Sequence, residues 1–187
     1  MGKLIISEHI TIDGFVAGPN GEMDWISLDN TLFEFVGKLT NNADTALYGR
    51  KTFEMMDAYW PVAGNKSNAS KHDKEHSEWY LKVNKYVLSK SMQGSDRDKT
   101  HFITGDLTTV KKIKEKSANS VLVFGSPSAV HYLFSQDLVD EMYLFVNPVL
   151  MGNGISLFKG IDQKTKYTLA STITFDSCRV VCLHYTK

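Results

Sequence analysis

Two short stretches put glycine and small polar or cationic side chains where an apolar run gives way to a helical pattern. They are Leu47-Tyr48-Gly49-Arg50-Lys51-Thr52 and Val123-Phe124-Gly125-Ser126-Pro127-Ser128. The first turn of a helix presents unpaired backbone N–H groups and about half a positive charge. A glycine that admits close backbone approach, followed by Arg50, Lys51 and Thr52, therefore suits an anion, most simply a phosphate. In the second stretch Ser126 stands as a helix cap with Pro127 at the first helical position. A glycine after a strand ordinarily only turns the chain. As a pair at the ends of neighbouring parallel strands, however, these two turns could hold the two ends of a dinucleotide.

Other chemistry-bearing patterns are weaker. No G-x-G-x-x-G opens a helix after the first strand, because Gly152-Asn153-Gly154 comes late and runs on as Ile155-Ser156, a turn between strands. No G-x-x-x-x-G-K-[ST] string occurs either. His72, Glu75 and His76 satisfy the H-x-x-E-H pattern of some zinc peptidases, but the segment is strongly polar and offers no third ligand. A metal site is not expected, and His9, His101, His131 and His184 read as structural histidines. The glycine-rich run from Asp13 to Trp25 reads either as a long connection or as a lid that moves over a ligand. Trp25, Tyr59 and Trp60 could stack a flat heterocycle, or simply pack the core.

The elements that must position these residues alternate. A strand over "KLIISEHITI" precedes a helix in which Leu32, Phe33, Phe35, Val36 and Leu39 recur with helical spacing. The strand "DTALYG" and a helix opening at "RKTFEMM" follow, then a polar loop with a short helix, then the strands "KYVLS" and "HFIT". Asp106 caps the helix "LTTVKKIKEKS", "SVLVFG" is a buried strand, "SPSAVHYLFSQ" a helix and "EMYLFVNPVL" a strand. "KYTLASTITF" and "CRVVCLHY", joined at Asp176-Ser177, form a hairpin. The pattern predicts an α/β fold whose sheet is mostly parallel early and antiparallel at its end. On a strand, Cys178 and Cys182 would share a face, too far apart to bridge.

At 187 residues, with 42% hydrophobic and 22% charged residues, the chain is expected to form one globular domain over residues 1–187. Its net charge of 0 argues against a nucleic-acid binder that works through a broad basic surface. No cleavable leader pattern opens the chain, and its most apolar late stretch, interrupted by Asn147 and Pro148, is too short to span a membrane, so a cytoplasmic location is expected.

Three features, in order, resemble the dihydrofolate reductase-like superfamily, most nearly the C-terminal reductase domain of the bifunctional riboflavin deaminase-reductase. They are the run "TIDGFVAGPNGEMDW", the turn "LYGRKTFE" and the turn "VFGSPSAVHYLF". "YVLSK", "QDLVDEMYLFVNPVLMGNGISLF" and the closing hairpin extend the likeness over nearly the whole chain. The resemblance implies a central, mostly parallel sheet flanked by helices, and an NADPH-dependent reductase of a small heterocycle, like the 5-amino-6-(5-phosphoribosylamino)uracil reductase of riboflavin biosynthesis. Arg50 and Thr52 would then meet the adenosine-side phosphates, beside Gly49 and Lys51. Ser89 and Lys90 would meet the 2′-phosphate, and Gly125, Ser126 and Ser128 the pyrophosphate. Val16 and Ala17 would lie near the nicotinamide, and the run from Asp13 to Trp25 would be the lid. The product's proton would come from Asp13, Asp29 or an ordered water; Asp29 is also the nearest match to the carboxylate with which the folate enzyme holds its pteridine. The likeness further suggests a homodimer through strands near "VNPVLMGNGISLF". Two departures stand out: Pro127 removes one N–H from the second turn, and the H-x-E and P-C-x-x-C zinc signature of the deaminase half is absent. A module that binds the nucleotide without turnover is the alternative.

Overall fold

In a computed structural model, which describes residues 2–91, 99–162 and 164–187, the chain builds one eight-stranded sheet and a small two-stranded ribbon. The elements run β1 (Lys3–Thr11), β2 (Phe15–Ala17), α1 (Asn30–Asn41), β3 (Thr45–Gly49), α2 (Arg50–Ala63), α3 (Lys71–Lys82) and β4 (Asn84–Leu88). They continue through β5 (Thr100–Ile103), α4 (Leu107–Lys116), β6 (Ser120–Phe124), α5 (Pro127–Ser135), β7 (Glu141–Asn147), β8 (Ile155–Ser156), β9 (Thr168–Phe175) and β10 (Val180–Thr186). The large sheet has the order β5-β4-β3-β6-β1-β7-β10-β9. Every neighbouring pair from β5 to β7 is parallel, and β10 runs antiparallel to both β7 and β9. The sheet is thus mixed and mostly parallel, with the C-terminal hairpin on one side, as the sequence predicts.

The central strands read as continuous apolar runs because helices cover both faces of a parallel sheet. Val121, Leu122 and Val123 of β6 are fully buried, and alternate residues enter different cores. Leu4, Ile6, Val121 and Val123 join Val130 and Leu133 of α5, whereas Leu122 joins Tyr48, Phe53 and Tyr80 on the other side. Since β3 and β6 are direct neighbours, with Leu47 opposite Val123, the two glycine turns leave the sheet side by side.

Three local expectations change. The predicted polar loop after "RKTFEMM" is largely helical: α2 continues through Pro61 to Ala63, and α3 is a full 12-residue helix. Its start carries a capping box between Ser70 and Asp73, but its buried residues are His76, Ser77 and Tyr80, so hydrophobic periodicity hides it. Within the glycine-rich run, Phe15–Ala17 forms a strand against Ile155–Ser156, a pairing too short and too distant in sequence to show as a period. Cys178 lies in the turn before β10 rather than in a strand; both cysteines are free and buried with Phe145 and Phe175. Among the described residues, no helix is long and apolar enough to cross a membrane.

Candidate functional site

The five helices of the described residues begin in two different ways. Asp29 accepts the Leu32 N–H at the start of α1 (2.7 Å), Ser70 accepts the Asp73 N–H at α3 (3.0 Å), and Asp106 accepts the Thr109 N–H at α4 (2.8 Å). The caps of α2 and α5 are Gly49 and Ser126, and neither start carries a side-chain cap hydrogen bond. Helix α2 follows directly on β3 and α5 two residues after β6, so both starts lie at the carboxyl edge of the parallel sheet, where ligands bind in open α/β folds. At α5 the Ala129 N–H donates to the Ser126 carbonyl at 2.8 Å and Pro127 has no N–H.

The two open starts are built as a unit. The Ser126 hydroxyl accepts the Gly49 N–H at 2.7 Å and points back to the Phe124 carbonyl at 3.4 Å, instead of capping its own helix. To do so Ser126 adopts φ 65°, a left-handed conformation costly for a residue with a Cβ. Gly125 precedes it at φ 55°, and a Cβ there would stand 3.0 Å from Thr52 Cγ2 of α2. Gly125 is therefore required both by its backbone and by the close approach of the neighbouring turn.

Both turns open onto a cavity of about 650 Å3. Ser7, Glu8 and His9 of β1 contribute to its lining, with Val16 and Ala17 of β2, Leu32, Phe33 and Val36 of α1, and Lys51, Thr52, Tyr59 and Trp60 of α2. Gly125, Ser126 and Pro127 complete that side, and His72 and His76 of α3 enter from another. The walls are chiefly apolar, and burial dominates the chemistry of the titratable groups. It pushes the Glu8 carboxyl up to about 8, against the Gly125 amide, which favours the charged form. It pushes His9 down to about 4, and burial together with the neighbouring His72 takes His76 down to about 3. Both imidazoles are consequently neutral near pH 7.

The structure brings together Val16, Ala17, Lys51, Thr52, Tyr59, Trp60, Gly125 and Ser126 of the residues singled out in the sequence. Gly49 lies directly beneath, bonded to Ser126. Arg50 is exposed and bonded to Glu54 through contacts of 2.8 and 3.1 Å, so the cation on the cavity wall is Lys51. Ser89 and Lys90 follow β4, whose Leu88 pairs with Gly49, placing them beside the first turn; Ser128 is exposed on α5. The Trp25 indole donates to the Glu22 carbonyl and lies outside the lining, although Met23, Ile26 and Leu28 from the same run contribute to it.

The two candidate proton donors lie elsewhere. Asp13 is exposed and clasps the chain after β7, accepting the Met151 N–H at 3.1 Å, the Gly152 N–H at 2.7 Å and the Thr11 hydroxyl at 2.6 Å. These bonds, led by that from Thr11, hold its carboxyl down to about 2, so it stays ionised. Asp29 is held as the cap of α1. His72 stacks on Phe33 at 4.0 Å and His76 packs on Trp60 at 4.0 Å, while Glu75 lies on the exposed side near Lys71. Among the described residues no group of three or more His, Cys, Asp or Glu could hold a metal ion.

Sequence reasoning passed over Glu8 and treated His9 only as structural. His9 stacks on Phe145 at 4.9 Å and meets the Asn147 amide at 3.2 Å, yet also faces the cavity. The available signal was the pair Glu8-His9 between the isoleucines Ile5, Ile6 and Ile10 of a central strand, where a charge is rarely placed without a reason.

This architecture defines a dihydrofolate reductase-like α/β protein with a ligand-sized cavity at the strand ends. The chain belongs to the family described as the RibD C-terminal domain, which matches residues 2–181. It is 31% identical over 175 residues to the protein YyaP of Bacillus subtilis, across 94% of this chain and 90% of that protein. A putative riboflavin biosynthesis protein from Shewanella sp. PV-4 has the same fold, with a TM-score of 0.75 at 19% identity, over 98% of each chain. So does a bifunctional diaminohydroxyphosphoribosylaminopyrimidine deaminase/5-amino-6-(5-phosphoribosylamino)uracil reductase from Thermotoga maritima, with a TM-score of 0.69 at 15% identity. That match covers 99% of this chain but 56% of the Thermotoga protein.

Proposed function

We propose that the protein is an NADPH-dependent reductase that acts on a small flat heterocycle. The observation that carries the reading is that the two helix starts without a side-chain cap, those of α2 and α5, stand side by side at the strand ends and both border the cavity. Family membership adds weight, since the RibD C-terminal domain family and its fold relatives include reductases. The residues present fit such a cofactor. Lys51 and Thr52 would meet phosphate oxygens at one turn, above a Gly49 held by Ser126, and Gly125 and Ser126 at the other, with Pro127 lowering the number of donors by one. Ser89 and Lys90 would meet the 2′-phosphate, Val16 and Ala17 would border the nicotinamide, and Tyr59 and Trp60 offer ring faces to a substrate. When bound, the nicotinamide supplies the hydride, and the protein's part is to align the acceptor and exclude water.

Calorimetric titration with NADPH and NADH tests the reading. Binding of NADPH is expected to exceed that of NADH by roughly ten- to hundredfold, because a charge-assisted hydrogen bond contributes about 1.5–3 kcal/mol. Lys51→Ala should weaken NADPH by about tenfold and Arg50→Ala by less, since Arg50 is already paired with Glu54. Failure to bind either nucleotide would remove the reductase reading. Tight binding without oxidation of NADPH across pterins, pyrimidines and quinones would favour the non-catalytic binding module.

A further inference from the structure

Glu8 lies midway along β1, between β6 and β7, opposite the apolar Leu144 of β7 and next to the residue that pairs with Phe124. It is 7% exposed, and its Oε1 has no hydrogen-bond partner. A buried carboxyl with a free oxygen costs stability, so packing alone gives no account of it. It is also the one Asp or Glu among the described residues that contributes to the cavity lining.

We propose that Glu8 is the general acid of the reduction, delivering a proton to the heteroatom of a polarised C=N or C=O bond in the substrate. The inference rests on the reductase reading and specifies the substrate class: an acceptor whose reduction leaves a basic nitrogen or oxygen. The acceptor carbon gains the hydride, whose source is the nicotinamide of the proposed function, oxidised by two electrons to NADP+. The π electrons move to the heteroatom, the Glu8 O–H bond breaks and the N–H or O–H bond of the product forms. Glu8 is left as a carboxylate, and solvent reprotonates it.

The groups around the site are consistent with this role. A carboxyl raised to about 8 is mostly protonated near neutrality and close to the value that favours proton transfer there. His9 on the same strand and His76 from α3 are neutral, and burial lowers His72 as well. Tyr59 of α2 donates its hydroxyl to Asp73, and Lys51 of the same helix is exposed at the rim. The lining residues of the flanking strands, Phe124 and Phe145, carry no charge.

The test uses the whole chain with Glu8→Gln, which keeps the shape and removes the transferable proton. Wild type and variant are titrated with NADPH, then followed in single turnovers with two kinds of acceptor. One is a C=N or C=O acceptor selected by wild-type turnover from pterins, pyrimidines and quinones; the other is N-methylquinolinium, whose reduction needs no proton. Expected are NADPH affinity within about threefold and a loss of roughly a hundredfold or more on the first acceptor, with about threefold or less on the second. The wild-type rate on the first acceptor should fall above about pH 8, and the variant should lack that limb. Equal loss on both acceptors, or none on either, overturns the acid role while the reductase reading stands. A wild type that binds no NADPH, or binds it and reduces nothing, overturns that reading and the acid role with it. Should the variant not fold, carbon NMR of wild type labelled at glutamate Cδ decides: a carboxyl still protonated at pH 7 supports the proposal, and full ionisation overturns it.

Discussion

The starts of α1, α3 and α4 and the starts of α2 and α5 solve the same problem in opposite ways. Every helix begins with N–H groups that its own backbone cannot satisfy. Asp29, Ser70 and Asp106 close the first three with a side-chain oxygen, which contributes about 1 kcal/mol at each. Gly49 and Ser126 leave the other two open. The Ser126 hydroxyl, chemically able to cap α5, is turned across to Gly49 at the expense of a left-handed backbone. A side-chain cap is forgone at the two helix starts that leave the neighbouring strands β3 and β6 beside the cavity, and present at the other three. Such a distribution is what a site for an anionic ligand requires, because a capped N–H cannot also meet a phosphate.

The contrast can be broken most sharply at Gly125. Gly125→Val adds a branched side chain at φ 55° against Thr52, and should destabilise the protein by about 2–4 kcal/mol in denaturant titrations while abolishing NADPH binding. An unchanged midpoint would show that the two turns are not packed as described. Next comes Ser126→Ala, which strips the partner from a buried Gly49 N–H and should cost about 1–3 kcal/mol, together with a loss of nucleotide affinity. Its control is Asp106→Ala, which removes an ordinary cap: a cost of about 1 kcal/mol with nucleotide affinity unaltered is expected. If both variants lowered affinity alike, the distinction between open and closed helix starts would have no functional content.

A smaller effect sharpens the other half of the contrast, the dryness of the cavity onto which the open helices face. Glu8 is raised in the folded chain to about 8 from 4.5, so its contribution to stability is fully present below pH 4.5 and lost as pH rises through 8. His9 and His76 are depressed from 6.5 to about 4 and about 3. For these bases, stability is full above pH 6.5 and declines as pH falls, since only the unfolded chain takes up the protons. Between pH 6.5 and 8 the Glu8 contribution acts alone among the three, so stability should decline across that window, and Glu8→Gln should flatten the decline. Below pH 4.5 the histidines dominate, and His76→Phe should lessen the acid loss in melts over a pH series.

Much of this was readable without coordinates. The apolar runs "SVLVFG" and "DTALYG", each ending in glycine and passing into a helix, reported two parallel strands and their turns. Asp106 and Pro127 marked helix starts by local chemistry that does not depend on the rest of the chain. Helix α3 was legible only as a short helix within a polar loop, because a helix whose buried face holds histidine, serine and tyrosine has no apolar stripe to show its full length. The strand Phe15–Ala17 exists only through its pairing with Ile155–Ser156, some 140 residues away.

Within the site the division is the same. Sequence alone determined which residue types stand at the two turns, since backbone freedom at glycine and the missing N–H of proline are properties of single residues. Tertiary structure decided which of the neighbouring cations reaches the cavity, pairing Arg50 with Glu54 and leaving Lys51 on the wall. It also decided that Asp13 clasps a loop and Asp29 caps a helix while Glu8, on a central strand, is the carboxyl inside. Those assignments depend on what lies within a few ångströms in space, and burial, which lifts the Glu8 carboxyl to about 8, is created only when the sheet and its helices close around it.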